Sequence, residues 1–130
     1  MYYKKGRHMK KVLLPFLLVI ILLFTGCSTS FQIGAIESNS SNEFHASYYD
    51  LSGSKVKKVT VKEGKPLDIS MDIVTKKGTL DVLIYKDKND NQYEGHALAT
   101  TTSTVTLSDP GTYTIKVIAK KHRGSYTFKW

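Results

Sequence analysis

The sequence predicts an all-β protein, an antiparallel β-sandwich, and three observations carry that prediction. Apolar residues recur at every second position through most of the chain after residue 43, turn signals separate these runs, and no stretch after Cys27 repeats with the period of a helix. Residues 44–51 and 56–61 are the first strand candidates. Residues 67–73 give the cleanest pattern, with Leu67, Ile69, Met71 and Ile73 on one face and Asp68, Ser70 and Asp72 on the other. Leu80, Val82 and Ile84 repeat it. Residues 93–99 and 102–107 are weaker, the second supported by the β propensity of its threonines. Tyr113, Ile115, Val117 and Ala119, and then Tyr126, Phe128 and Trp130, supply the last two runs. Ser52-Gly53, Glu63-Gly64, Lys77-Gly78, Asn89-Asp90-Asn91, Asp109-Pro110-Gly111 and Arg123-Gly124 fall between the runs and read as turns.

One motif narrows the type of sandwich. Asp109-Pro110-Gly111-Thr112-Tyr113 resembles the D-x-G-x-Y corner that opens the penultimate strand of immunoglobulin-like domains. The resemblance implies that the Tyr113 hydroxyl bonds back to the backbone and that a turn at Arg123-Gly124 leads into a separate last strand. Similar Gly-Thr-Tyr openings occur in jelly-roll and pre-peptidase C-terminal domains, so a jelly-roll-like sandwich is the alternative. The paired cysteines of antibody domains are missing, and the single Trp is Trp130.

The first quarter has a different composition. A basic leader with Lys4, Lys5, Arg7, Lys10 and Lys11 precedes an uncharged run over residues 12–24, and Thr25-Gly26-Cys27 closes it with small residues. The run is shorter than the roughly 20 apolar residues of a spanning helix and contains Pro15. This stretch resembles the signal of bacterial lipoproteins, with Phe24 where leucine is usual. The resemblance implies a signal-peptide helix over 1–26, cleavage between Gly26 and Cys27, and a diacylglycerol thioether on Cys27 whose two acyl chains include palmitate. The partner so implied is membrane lipid, on the extracytoplasmic face of the cell membrane. Residues 27–42, rich in Ser and Asn, read as a flexible tether, with an edge strand over 31–36 as the alternative, and 43–130 as one domain.

The charge of +8 belongs mainly to the leader. Of 19 Lys and Arg, five lie there, so 14 remain against 11 Asp and Glu, a balance that gives no reason to expect a nucleic-acid partner. The single cysteine excludes an internal disulfide, and burial alone must hold a domain expected to be monomeric.

Little in the remainder suggests chemistry. Residues 87–94 are rich in Asp and Asn, but Gln92 and Leu98 stand where a calcium loop needs Gly and a bidentate Glu, so a polar hairpin tip is expected, with no metal and no cofactor. His45, His96 and His122 are scattered, and no nucleophile or metal-ligand spacing appears. Lys120, Lys121, His122 and Arg123 form a basic cluster that reads as a solvated turn discouraging edge pairing, or as a contact for anionic lipid, teichoic acid or polysaccharide. Tyr48, Tyr49, Tyr85 and Tyr93 flank a small core or, where exposed, offer rings to a ligand. The sequence therefore points to a non-catalytic binding module for a cell-wall polymer or an envelope protein. An inhibitory or immunity-type lipoprotein is the alternative, and an enzyme is not expected.

Overall fold

The computed structural model describes residues 31–130, so the signal segment 1–26 and Cys27 lie outside the described residues. Seven strands follow in chain order: β1 (Phe31–Ile33), β2 (Ile36–Ser40), β3 (Glu43–Val61), β4 (Leu67–Tyr85), β5 (Asn91–Gly95), β6 (Thr101–Leu107) and β7 (Gly111–Lys129). Every strand pairing is antiparallel; the order is β1-β3-β7-β4-β5, with β2 also on β3 and β6 also on β4.

Strands β3, β4 and β7 are each 19 residues long, and each changes the phase of its buried side chains midway. In β7 the buried set is Tyr113, Ile115, Val117 and Ala119, then His122, Tyr126 and Phe128. In β3 it passes from Phe44, Ala46 and Tyr48 to Leu51, Val59 and Val61, and in β4 from Ile69, Met71 and Ile73 to Leu80, Val82 and Ile84. The pairing registers slip at the same three places, between Tyr48 and Gly53, between Thr75 and Thr79, and between Ala119 and His122. Irregularities side by side on three neighbouring strands crease the sheet along one line, because each bulge bends its strand and re-aims the residues after it.

The connections show how far the crease closes. Laid flat, 19-residue strands would hold Leu107 and Gly111 at opposite ends of the sheet, about 60 Å apart. Only three residues join them, a reach of about 14 Å. The sheet is therefore folded in half, and its two inner faces share one core from Phe44 to Phe128. The first layer is β2, the first half of β3, the second half of β7, the first half of β4, and β6. The second holds the remaining halves of β3, β7 and β4, with β5 at its edge.

The all-β antiparallel sandwich expected from the sequence is thus present, and the tyrosine corner serves it: Tyr113 Oη donates to Asp109 O at 2.7 Å, pinning the three-residue strap across the mouth between the layers. Tyr113→Phe, which keeps the ring and removes the donor, is expected to cost about 1 to 2 kcal/mol in urea unfolding. Two expectations need correction. Ser52-Gly53, Lys77-Gly78 and Arg123-Gly124 lie inside single strands, at the crease, so the separate last strand of the immunoglobulin-like plan is here the continuation of β7. The tether assigned to 27–42 is paired sheet from residue 31 except at short turns, since β1 and β2 add to the edge of β3. The side chains of β2 are all exposed, so this pairing rests on the backbone and leaves no apolar alternation in the sequence.

Two glycines make the crease passable. A Cβ on Gly124, at φ 146°, would sit 1.8 Å from Val74 O, and one on Gly78, at φ 74°, would sit 2.1 Å from Lys121 O. Only a residue without a side chain lets the bent strands come this close.

Candidate functional site

The residues expected to form a binding surface divide between core and surface. Tyr48 and His122 are 5% and 0% exposed, so neither can meet a ligand directly. The phase of β3 explains Tyr48, which shares a face with Phe44 and Ala46. His122 lies just past the bulge in β7, where the phase has changed and the side chain turns inward. Tyr93 is half-buried against the core, and Tyr85 is half-buried beside Ile84. Tyr49, Lys120 and Lys121 remain exposed, and the Arg123 guanidinium lies over the Tyr49 ring, 3.8 Å from its centroid, with Nε donating to Tyr49 O.

His122 and Tyr48 instead belong to a relay that ties the crease together. Thr75 Oγ1 donates to Leu98 O at 2.8 Å, so its oxygen must accept from His122 Nε2, also at 2.8 Å. That fixes the proton of the neutral ring on Nε2, and Nδ1 accepts from the Tyr48 hydroxyl. The relay joins β3, β7 and β4 to the loop between β5 and β6. Burial lowers the pKa of His122, keeping the ring neutral, and raises that of Tyr48, keeping the hydroxyl protonated. Its role is architectural.

His96 is exposed and engages Glu94 at 2.6 Å and Asp81 at 3.4 Å. These hydrogen bonds raise its pKa, the Glu94 contact first. The Asp81 carboxyl is lowered, chiefly because it accepts from Ala97 N. His45 shares a hydrogen bond with Thr127 Oγ1 at 2.7 Å, so the three histidines sit in three separate sets of partners. The loop over 87–91 is a turn closed by Asp90 N to Asp87 O and by Lys86 N to Asp90 O. Its carboxylates accept from Asn89 N and Gln92 Nε2, as a polar hairpin tip requires. Among the described residues no group of His, Cys, Asp and Glu is arranged to hold a metal ion.

Two shallow depressions lie along one layer. The first, about 430 Å³, is lined by Ser70, Asp72, Thr102, Thr104, Thr127 and Lys129, near the open end of that layer. The register sets these side chains in rows, with Thr127 beside Asp72 and Asp72 beside Thr102, and Lys129 beside Ser70 and Ser70 beside Thr104. Ser103 Oγ is enclosed at this depression with no hydrogen-bond partner. The second, about 390 Å³, adjoins the crease and is lined by Ser47, Tyr49, Val74, Lys76, Arg123 and Ser125. Neither depression is legible as a run of residues in the sequence. Their residues lie on the polar faces of alternating strands, and only the cross-strand register brings them together.

No known family profile matches the chain, and no curated protein matches it. Among solved structures it is similar to the pre-peptidase C-terminal domain of a collagenase from Bacillus anthracis, at 14% identity and a TM-score of 0.49, over 68% of this chain and 87% of that one. It is also similar to a carbohydrate-binding module of Cellvibrio mixtus lichenase 5A solved with cellotriose, at 16% identity and a TM-score of 0.37, over 77% of this chain and 95% of that one. The architecture rests on the strand register of the chain itself.

Proposed function

We propose that the protein is a lipid-anchored, extracytoplasmic binding module without catalytic activity, and that the depression near the open end of its first layer receives a hydroxyl-rich polymer of the cell envelope. The lining of that depression carries the reading: beside the enclosed Ser103 Oγ, four further hydroxyls, one carboxylate and one ammonium lie on the sheet, spaced by strand register. Such a surface suits a ligand that exchanges many hydrogen bonds with water for many with protein. The lipoprotein-like signal ending at Cys27 supports the address, and the hydroxyls along the depression suit a polymer that carries hydroxyls of its own.

The test is sedimentation of the purified protein with cell-wall polysaccharide, together with a glycan array. Asp72→Ala is expected to weaken binding about tenfold or more, since hydrogen bonds to a charged group contribute about 1.5 to 3 kcal/mol, while thermal unfolding stays nearly unchanged. Wild-type protein that retains no glycan above background would remove this reading. The anchor is tested apart from the ligand: labelled palmitate should enter the wild-type chain and not Cys27→Ala.

A further inference from the structure

We infer that the crease of the sheet is a second interaction surface, which lies against the anionic lipid headgroups of the membrane that holds the protein. The inference rests on the lipid-anchored reading above and adds an orientation to it. Two observations carry it independently of the polymer-binding depression.

The first is where the chain enters the fold. Because β1 pairs with residues 50–52, the described chain begins beside the crease, with Phe31 opposite Ser52. Only residues 28–30 separate it from Cys27. Four residue steps reach at most about 14 Å, so an acylated Cys27 would keep this part of the fold close to the bilayer. The order β1-β3-β7-β4 then places the bends of β7 and β4 within three strand spacings, about 14 Å, of that entry point.

The second is the chemistry displayed there. Lys76 and Lys77 on β4 lie beside Lys120, Lys121 and Arg123 on β7, with Lys77 opposite Arg123 in the register. The ion pairs among the described residues, Lys55 with Glu37, Lys129 with Glu43, and His96 with Asp81 and Glu94, include none of these five cations. Asp50 and Asp81 are the acids that border them. Tyr49, 59% exposed, lies under Arg123, and on the added edge strands Ile33 sits opposite Asp50 and Ile36 opposite Ser47, at 47% and 73% exposed; with Val56 these are the large apolar side chains exposed among the described residues. A Cβ on Gly34, just after β1, would lie 3.5 Å from Tyr49 Cβ, so the turn that leaves β1 runs beside residue 49. The depression between Tyr49, Arg123, Lys76, Ser47 and Ser125 offers two cations and two hydroxyls to a single phosphate. Basic residues ringed by aliphatic side chains and a tyrosine are the composition that settles at a headgroup boundary. A short leash holds that composition where it can be used, and the polar depression is left at the far end of the layer, about 20 Å away.

The experiment uses the full chain isolated from bacterial membranes and placed in phosphatidylcholine vesicles with or without phosphatidylglycerol. Amide exchange at residues 74–79 and 119–124 should slow several-fold only with phosphatidylglycerol, and the protection should fade at high salt. Replacing Lys76, Lys77, Lys120 and Lys121 with Gln together should abolish it, at roughly fivefold in affinity per charge removed, while the cooperative thermal transition persists. Equal exchange in the two vesicle types overturns the inference. Protection by soluble polyglycerol phosphate but not by phosphatidylglycerol vesicles also overturns it, in favour of a wall polyanion. Palmitate labelling reports separately on the anchor: labelled protein without protection leaves the anchor standing and removes the docking surface. Protection without label does the reverse.

Discussion

Gly124→Ala is expected to remove a large part of the stability of the fold. The added carbon would fall 1.8 Å from Val74 O, a backbone atom of a neighbouring strand that cannot swing aside, and its φ of 146° is one that side chains rarely adopt. Moving Val74 would open the pairing of β4 with β7 where Thr75, beside it, meets Gly124 in the register. The cost should be about 4 kcal/mol or more, a large part of the roughly 5 to 15 kcal/mol that holds a small domain together. Gly64→Ala provides the control, since a Cβ there meets nothing within 4 Å at a φ of 71°. It should cost about 1 kcal/mol. Chemical denaturation followed by circular dichroism separates the two. A Gly124→Ala protein with a midpoint near that of wild type would mean that the crease is not as tight as described.

His122→Phe is expected to cost about 2 to 4 kcal/mol although it keeps a ring of similar size, because it leaves the buried Tyr48 hydroxyl without an acceptor and removes the donor to Thr75. Tyr48→Phe combined with His122→Phe should cost less than the two single changes added together, since removing both partners leaves no stranded hydroxyl on Tyr48. The same histidine sets a pH dependence. Burial depresses its folded-state pKa below the ordinary value of 6.5, so the unfolded chain takes up a proton first as the solution is acidified. Its contribution to stability is complete above that value and is lost as pH falls through the folded pKa. The slope can reach about 1.4 kcal/mol per pH unit. Denaturation midpoints between neutral and mildly acid pH should therefore fall in wild type, and the part of the fall due to this ring should be absent in His122→Phe.

How much of this was legible depended on whether the physics is local. The alternation in residues 67–73 and the D-x-G-x-Y corner are local, and both appear in the structure where the sequence puts them. The crease is not. A glycine between two alternating runs looks the same whether the chain reverses into a hairpin or bends within a strand, and only the partner strands decide. Tyr48 and Tyr49 are adjacent in sequence, yet one lies in the core and the other in solvent. The phase carried on from Phe44 and Ala46 separates them, which grouping the tyrosines as core flank or exposed ring does not. Lys76 and Lys77 stand just before Gly78 as Arg123 stands just before Gly124. That echo is a signal only once the two glycines are known to be neighbours.

The pairing of β3 with β7 also governs when the molecule can form. Glu43 meets Lys129 and Val61 meets Gly111, so an early-made segment waits for nearly the last one before its central ladder exists. Neither layer can assemble ahead of the other, because both are cut from the same three ribbons. A polypeptide delivered amino end first would stay open to proteases and chaperones until residue 129 had emerged, and would then close as a single unit.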